Sequence, residues 1–353
     1  MKRGGITDFE GFREAITAFR LPRVMVSALE LDLFTALATE SWSIADLAKT
    51  LRVSERGLDI LCRNLAMCGL LKKRGPLYRN STFAATELNR SHPRCRGAYI
   101  DLLKDQWSDW SRLTDHVRTG LPVDHGKPED ADYRRRFTWA MHHRSVDVAA
   151  RVAAQVSLRN AKSMLDLGGG PGTYALAFLK KNPTLSATVC DRPAALDVAR
   201  EVAATENKAG KRLSYLAVDF MSEQVPGRYD VIWYSNVLHI YSAAENQALF
   251  KRLRPALNPG GRLIIQDAFL HDREGLYPKE ASLFAVAMLL FTEQGNTYTV
   301  HETSSWLRQA GYSTVKPLKM KRGTEDWDGG LLQAVHSTSR RALPVLPRRS
   351  AKN

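Results

Sequence analysis

Hydrophobic and polar positions change their period along the chain. In the first third, apolar residues recur at helical spacing, as in "SIADLAKTL", where Ile44, Leu47 and Leu51 share one face of a predicted helix. The spacing continues through "ERGLDILCRNLAMCGLL", and "KKRGPLYRNS" then places a Gly-Pro turn between two short strand-like pieces. Helix, turn, helix and β-wing together predict a winged-helix unit.

After Lys162, short apolar runs alternate with amphipathic helical segments. The runs "KSMLDL", "LSATVCD", "LSYLAVDF", "YDVIWYSNVL" and "GRLIIQDAF" are predicted strands, and "TYALAFLKK", "PAALDVAREVAATE" and "AENQALFKRLRPAL" are predicted helices. Short parallel strands separated by helices indicate an α/β fold with a doubly wound sheet. In such sheets ligands bind beyond the carboxyl ends of the strands, so we expect the chemistry there.

These changes of pattern predict four segments. Residues 1–105 form a mostly helical winged-helix domain, and residues 106–160 form aromatic connecting helices that the polar loop "TGLPVDHGKPED" interrupts. Residues 161–338 form the α/β domain. Residues 339–353 are basic, contain no acidic residue and have little helical patterning, so we expect a solvated, disordered end.

Composition narrows the class of protein. The chain has 353 residues, of which 44% are hydrophobic and 25% charged, as expected for a globular protein with room for two domains. No apolar run approaches the roughly 20 residues of a membrane-spanning helix, so a cytoplasmic protein without a membrane partner is expected. The four cysteines lack CxxC spacing and suggest neither a disulfide framework nor a zinc site. The net charge of +14 would suit many anionic partners.

Glycines cluster where the first strand of the α/β domain ends. The segment "DLGGGPG" offers GxGxG, with Asp166 two positions before Gly168, instead of the GxGxxG of dinucleotide-binding folds. An acid facing the loop would repel a pyrophosphate and suits an amino group. We therefore expect a zwitterionic, adenosine-bearing ligand, to which the backbone at Gly168 and Gly170 passes close because glycine lacks a Cβ.

Acidic residues also end the next two predicted strands. Asp191 follows the glycine loop by about 20 residues, the position at which an acid accepts hydrogen bonds from both ribose hydroxyls. Asp219 and Phe220 end the third strand, where a carboxylate and a ring would hold an adenine. Each has a structural alternative, because an acid at a strand end is often a helix cap and Phe220 could be core. Their arrival at successive strand ends favours a ligand site.

The motifs "LDLGGGPGTYA", "CDRP", "VDF" and "GRYDVIWYSNVLHIYS" resemble those of S-adenosylmethionine (SAM)-dependent methyltransferases. A winged-helix unit followed by this domain further resembles the small-molecule O-methyltransferases, which include the plant caffeate and hydroxyindole enzymes and many bacterial secondary-metabolite enzymes. The resemblance runs from about Phe19 to Val335. It implies a Rossmann-like methyltransferase sheet, SAM as the cofactor, no metal ion, and methyl transfer to a hydroxyl of a small aromatic or polyketide-like acceptor.

The reaction needs a base, because a phenol has a pKa of about 10 and histidine is best poised to deprotonate it at neutral pH. The resemblance implies that His239, just past the fourth strand, is this base, and that Asp267 orients it where the family usually has a glutamate. Two positions depart from the family pattern. Thr297 stands where a second carboxylate is usual, and Ile240 stands where an acid usually follows the histidine.

The resemblance also implies ligand contacts. Met141, on the connecting helices that line the acceptor pocket, and Met288 with Thr292 match family positions that sandwich the acceptor, with helix core as the alternative for Met288. Methionine suits a flat apolar ring because it is adaptable and polarizable. The expected cofactor contacts are Asp166, Gly168, Gly170, Asp191, Asp219, Phe220 and, by family position, Ser235.

Two alternatives remain open. Because of Thr297 and Ile240, the chain could be an N- or C-methyltransferase or a cofactor-binding relative that has drifted to another reaction. From a different class, a DNA-binding regulator would explain the helix-turn-helix form and the basic charge. Its second helix, however, presents only Arg56, Arg63 and Asn64 among apolar neighbours, which favours burial, so no nucleic-acid partner is expected.

A homodimer is expected from the segment "RLPRVMVSALELDLFTALA". Its apolar residues exceed what one helix face can bury in a small domain, and an exposed surplus marks an interface. In the family, these helices interlock with the partner subunit. The residues concerned are Val24, Val26, Leu29, Leu31, Leu33, Phe34 and Leu37.

Overall fold

The computed structural model describes residues 5–124, 131–206, 210–320 and 330–336. They divide into two compact units, of which the first comprises residues 5–112 and 139–144 and the second the remainder. The predicted basic end, residues 339–353, lies outside the described residues. Within the described ranges, no helix combines the length and the apolar composition that a bilayer crossing requires.

The first unit contains the predicted winged helix. Serine hydroxyls start both helices of the motif, because Ser43 Oγ accepts the backbone N–H of Asp46 and Ser54 Oγ accepts that of Gly57. The three strands pair antiparallel in the order β1-β3-β2. The elements are α1 (Phe9–Thr17), α2 (Arg20–Glu30), α3 (Leu33–Leu37), β1 (Trp42–Ser43), α4 (Ile44–Leu51), α5 (Glu55–Met67), β2 (Leu71–Arg74), β3 (Leu77–Asn80), a π-helical turn (Ala84–Leu88) and α6 (Gly97–Ser111).

The exposed apolar side chains of this unit lie earlier in the chain than the sequence predicts. Leu33, Phe34 and Leu37 are buried in the unit's own core, and Val26 is also buried, so most of the predicted surplus is already covered. By contrast, α1 buries none of its residues. The exposed apolar side chains recur along one side of α1 and its continuation, at Phe9, Phe12, Ile16 and Phe19.

The second unit is the predicted α/β fold, with helices between successive parallel strands. The helix α8 is shared, since residues 139–144 belong to the first unit. The elements are α7 (Leu113–Thr119), α8 (Ala131–Gln155), β4 (Ser163–Leu167), α9 (Thr173–Lys181), β5 (Ser186–Asp191), α10 (Pro193–Glu206), β6 (Leu213–Ala217), β7 (Tyr229–Ser235), α11 (Ala243–Leu253), β8 (Leu257–Asp267), α12 (Lys279–Phe291), α13 (Val300–Gln309), β9 (Ser313–Pro317) and β10 (Gly330–Val335).

The sheet of this unit has seven strands in the order β6-β5-β4-β7-β8-β10-β9. The chain builds β4, β5 and β6 toward one edge and then returns to add β7 and β8 on the other side of β4, all in parallel. The strand β10 runs antiparallel to both β8 and β9. Neither β9 nor β10 is among the strands predicted from the sequence. The order therefore reverses between β4 and β7, which is where a doubly wound sheet binds its ligand.

Both faces of the sheet are buried. Along β7, Val231 and Trp233 pack into one core cluster, whereas Ile232 and Tyr234 pack into the other. The Trp233 ring meets the Phe178 ring edge-on, with centroids 4.9 Å apart. Because successive side chains of a strand point to opposite faces, a strand covered on both sides must be apolar throughout, which explains the unbroken apolar run in "VIWY".

Candidate active site

The loop after β4 lies against the segment after β7. Gly168 has a φ of +65°, and a Cβ added there would lie 2.8 Å from Cγ2 of Val237, so glycine is required on both counts. The Phe220 ring reaches the same point, with its Cζ 3.5 Å from that Cβ position. The glycine loop, the turn after β6 and the segment that leads into His239 thus meet at the switch point of the sheet.

Asp191 ends β5, as predicted, and holds the glycine loop. One carboxylate oxygen accepts the backbone N–H of Gly170 at 2.8 Å, and the other accepts that of Arg192 at 2.7 Å. Burial raises the pKa of Asp191, although these two hydrogen bonds and the Arg134 guanidinium oppose the rise. The ribose contact of Asp191 stays a prediction; what the structure gives is a carboxylate fixed at the expected place.

Asp166 lies directly beneath the glycine loop. Its Oδ2 accepts the backbone N–H of Ala175 at 3.1 Å, in the first turn of α9, and the side chain is almost completely buried. A Cβ on Gly169 would lie 2.7 Å from the Asp166 Cγ, so the loop passes close over the carboxyl group. Burial raises the pKa of Asp166 to about 7.

Asp219 and Phe220 lie in the turn after β6, because the strand ends at Ala217 instead of continuing to Phe220 as predicted. The Asp219 carboxylate ends the strand by accepting the backbone N–H of Met221 at 3.2 Å and the hydroxyl of Ser222 at 2.7 Å. Asp219 is exposed, whereas Phe220 is buried. The structure brings Phe220, more directly than Asp219, to the glycine loop.

His239 and Asp267 form a buried pair. The Nδ1 atom of His239 lies 2.8 Å from Asp267 Oδ1, which also accepts the backbone N–H of Ala268 at 2.8 Å. The shorter aspartate therefore reaches the histidine where the family usually has a glutamate. The tautomer that fits this contact has its proton on Nδ1, which leaves the Nε2 lone pair to accept a proton.

Three residues that the sequence analysis missed surround His239. Asn246, fully buried on α11, donates from Nδ2 to the carbonyl of Leu238 at 2.9 Å. The backbone N–H of Asn296 donates to the His239 carbonyl at 2.9 Å, and the Phe284 ring meets the imidazole edge-on at 4.8 Å. The sequence offered one signal, a polar residue on the buried face of the helix "AENQALF".

The remaining predicted contacts lie on three elements. Ser235, at the end of β7, donates to Gln266 Oε1 at 3.2 Å. Met288 is buried on α12, and Thr292 follows it by one turn and donates to its carbonyl at 2.6 Å. Phe284, whose ring meets His239, precedes Met288 on α12 by one turn, and Thr292 caps the C-terminal end of the same helix. Met141 is half-buried on α8 and belongs to the first unit.

Arg134 is a further candidate that the sequence analysis missed. It is half-buried on α8, where burial and the nearby charge of Arg192 lower its pKa and the carboxylate of Asp191 opposes them. One turn later, Thr138 Cγ2 lies 4.0 Å from the Cβ position of Gly170. No sequence pattern separates Arg134 from its two arginine neighbours in "YRRRF", because which of them faces the loop depends on the helix phase.

Two domain families match the chain. Residues 110–313 match the O-methyltransferase domain, and residues 14–90 match the O-methyltransferase dimerisation domain. Among curated relatives, the chain is 30% identical over 304 residues to a 3-hydroxy-5-methyl-1-naphthoate 3-O-methyltransferase of Streptomyces sahachiroi, covering 84% of this chain and 87% of the relative. It is also 30% identical over 307 residues to the tetracenomycin polyketide synthesis 8-O-methyl transferase TcmO of Streptomyces glaucescens, covering 85% and 90%.

Solved structures share the fold. Human N-acetylserotonin methyltransferase, in complex with SAM, superposes with a TM-score of 0.80 at 22% identity, covering 95% of this chain and all of that one. An O-methyltransferase family protein from Burkholderia thailandensis gives a TM-score of 0.80 at 24% identity, covering 94% and 99%. With both domains matched and the α/β fold shared, the chain belongs to the SAM-dependent O-methyltransferases of small molecules.

Proposed function

We propose that this enzyme methylates a phenolic hydroxyl of a small aromatic or polyketide-like acceptor, with His239 as the general base. The observation that carries the proposal is the buried His239–Asp267 pair, which lies at the switch point of the sheet beside the glycine loop. Buried acid–histidine pairs at ligand-binding edges are typical of proton-transfer sites.

The residues at the switch point fit SAM. The backbone at Gly168 leaves no room for a side chain, Asp191 offers a carboxylate for the ribose, and the Phe220 ring lies beside the loop where an adenine would stack. We further propose that Arg134, a half-buried cation close to Asp191, faces the cofactor's carboxylate, since a guanidinium pairs well with that group. When bound, SAM supplies an electrophilic methyl group on a sulfonium.

The protein's own residues would then hold and deprotonate the nucleophile. Asp267 Oδ1 accepts the Nδ1–H of His239, so that Nε2 would take the proton of the acceptor hydroxyl. Bound SAM would supply the methyl group to that oxygen and would leave as the neutral thioether, S-adenosylhomocysteine. The resulting imidazolium is stabilised by the Asp267 carboxylate, whose 2% exposure keeps water from screening the interaction. Alignment of the oxygen with the methyl group supplies much of the rate.

Phe284 and Met288 on α12 support an aromatic acceptor. The Phe284 ring packs against the His239 ring, and Met288 lies one helical turn after Phe284. Both side chains present polarizable apolar surface. The two streptomycete relatives are named for a naphthoate and for a polyketide. An acceptor with a flat ring and a phenolic hydroxyl fits both this apolar surface and the base beside it. Met141 and Thr292 stay predicted acceptor contacts.

We also propose that the enzyme is a homodimer that forms through the exposed stripe of α1. Phe9 is 77% exposed and Phe12, Ile16 and Phe19 between 47% and 58%, a continuous apolar surface that a single chain leaves in water. The dimerisation-domain match, which begins at residue 14, supports a second copy as its partner. The metal-free reaction, the cytoplasmic location and the lack of nucleic-acid and membrane partners stay predictions.

One experiment tests the proposed reaction. The protein is incubated with SAM labelled with carbon-13 in its methyl group and a panel of phenols, hydroxylated naphthoates, polyketides and indoles. Product NMR then shows which atom carries the label. We expect the label on oxygen in at least one phenolic acceptor. A label on nitrogen or carbon, or no transfer to any phenol, would contradict the proposal.

A further inference from the structure

Two polar atoms close to the base are buried without a hydrogen-bond partner among the described residues. They are Asp267 Oδ2 and Thr297 Oγ1, and the two residues are only 2% and 6% exposed. A buried polar atom left unpaired costs free energy, and native proteins pair such atoms in most cases. Two of them in one site therefore require an explanation.

The backbone holds Thr297 beside the His239–Asp267 pair. Its predecessor, Asn296, donates its N–H to the carbonyl of His239 at 2.9 Å. Its successor, Tyr298, accepts the N–H of Leu270 at 3.0 Å, on the chain that continues from Asp267 at the end of β8. Thr297 is thus fixed on both sides to the segments that carry the two members of the pair.

The two unpaired atoms are chemically complementary. The Asp267 carboxylate only accepts hydrogen bonds, and its Oδ1 already serves His239 and Ala268, which leaves Oδ2 in need of a donor. A threonine hydroxyl can donate one hydrogen bond. It is also uncharged, so it would satisfy the carboxylate without adding a second negative charge next to the histidine, as the family's usual carboxylate would.

We propose that Thr297 is a positioning residue for the base: its hydroxyl donates to Asp267 Oδ2 through one buried water. This inference rests on the proposed function of His239. The hydrogen bond fixes the carboxylate plane and so the direction of the imidazole. It also disperses part of the carboxylate charge, so the carboxylate attracts a proton on the imidazole less strongly than it would without the hydroxyl.

Three other ionisable side chains lie around Asp267, and none of them is expected to mask this effect in a pH titration. The phenols of Tyr234 and Tyr298 feel the charge of Asp267, but burial raises the pKa of both, that of Tyr298 to about 12. The Glu245 carboxylate is engaged at the start of α11, where it accepts from Ser242.

The test compares Thr297→Val, which keeps the shape and removes the hydroxyl, with Thr297→Ser, which keeps the hydroxyl. We expect Thr297→Val to lower kcat about tenfold, as for one lost hydrogen bond to a charged group. The acid limb of its pH–kcat profile should move to higher pH, and Thr297→Ser should restore most of the rate. Equal losses in both variants would mean that packing of the methyl group, not the hydroxyl, matters, and would overturn the proposal.

A second readout needs no turnover. In protein labelled with carbon-13 at histidine Cε1, with the resonance assigned through His239→Asn, the titration midpoint of His239 should move to higher pH in Thr297→Val. The matched control is Thr303→Val, because the Thr303 hydroxyl is buried but already donates to the Thr299 carbonyl at 3.1 Å. It should leave the midpoint in place. An unmoved midpoint in Thr297→Val overturns the proposal even if no phenol is methylated, which separates it from failure of the proposed reaction.

Discussion

Three aspartates near the carboxyl ends of the strands differ in what their carboxylate oxygens bind. Asp166 accepts a backbone N–H at the start of α9, Asp191 holds the glycine loop, and Asp267 lies within hydrogen-bond distance of Nδ1 of His239. Because all three are aspartates, their burial and their hydrogen-bond partners set the differences in their chemistry.

Replacement of Asp191 is expected to weaken SAM binding. Asp191→Ala removes the proposed charged acceptor of the ribose hydroxyls, worth about 1.5–3 kcal/mol, or roughly 10- to 150-fold in affinity. Calorimetry with SAM measures the change. Asp197→Ala, which removes an exposed acid paired with Arg200 on α10, is the control and should bind normally. Unchanged affinity in Asp191→Ala would rule out the ribose contact.

Asp166 should make the stability of the folded chain depend on pH. Its pKa is raised from 3.8 to about 7, so the folded chain keeps a proton that the unfolded chain has lost. This contribution is complete below pH 4 and disappears as the pH rises through 7. Asp166→Asn cannot ionise, so relative to the parent it should gain about 4 kcal/mol of unfolding free energy between pH 4 and pH 8. Denaturant titrations at both values measure it, and a constant difference would argue against a protonated Asp166.

At the scale of elements, periodicity predicted the helices and strands well where apolar runs are bounded by turn residues. The helices α9 and α10 begin and end where their sequences predict, and Asp191 and Asp267 end their strands as expected. The end of β6 was predicted too late, because the Asp219 side chain competes for the backbone. The partners Phe284 and Asn296 could not be predicted, since they approach His239 from segments 45 and 57 residues further along.

The turn that carries His239 depends on α11. Asn246 donates to the carbonyls of Leu238, Tyr241 and Ser242 at 2.9–3.1 Å, so Asn246→Ala leaves buried carbonyls unpaired. We expect a loss of about 1–3 kcal/mol in stability per unpaired buried group. The displaced turn should also lower kcat about tenfold while SAM affinity is retained.

Thermal unfolding and steady-state kinetics measure both effects of Asn246→Ala. Lys251→Ala, an exposed position on the same helix, is the control. If Asn246→Ala kept the parent's kcat, the turn would not depend on this residue for its catalytic geometry.

For the whole molecule, the stripe of α1 predicts the assembly. Light scattering at micromolar concentration should give about twice the 39.5 kDa mass of one chain. Phe12→Glu together with Ile16→Glu places charges in the apolar stripe and should yield monomers, whereas Glu14→Lys, which changes a charge outside it, should not. Removal of residues 1 to about 100 should give an insoluble or inactive protein. A dimer that resists the double substitution would place the interface elsewhere.

His239 is proposed to remove the proton from a phenolic oxygen during methyl transfer. The sharpest test measures kcat of the parent and of His239→Ala with a series of acceptors. The series runs from acidic nitrophenols to ordinary phenols, whose pKa is about 10. We predict that the substitution costs about 100-fold or more with the ordinary phenols. The loss should shrink toward the acidic ones, which arrive already ionised, while calorimetry shows unchanged SAM affinity. An equal loss across the whole series, or no loss at all, would contradict His239 as the base.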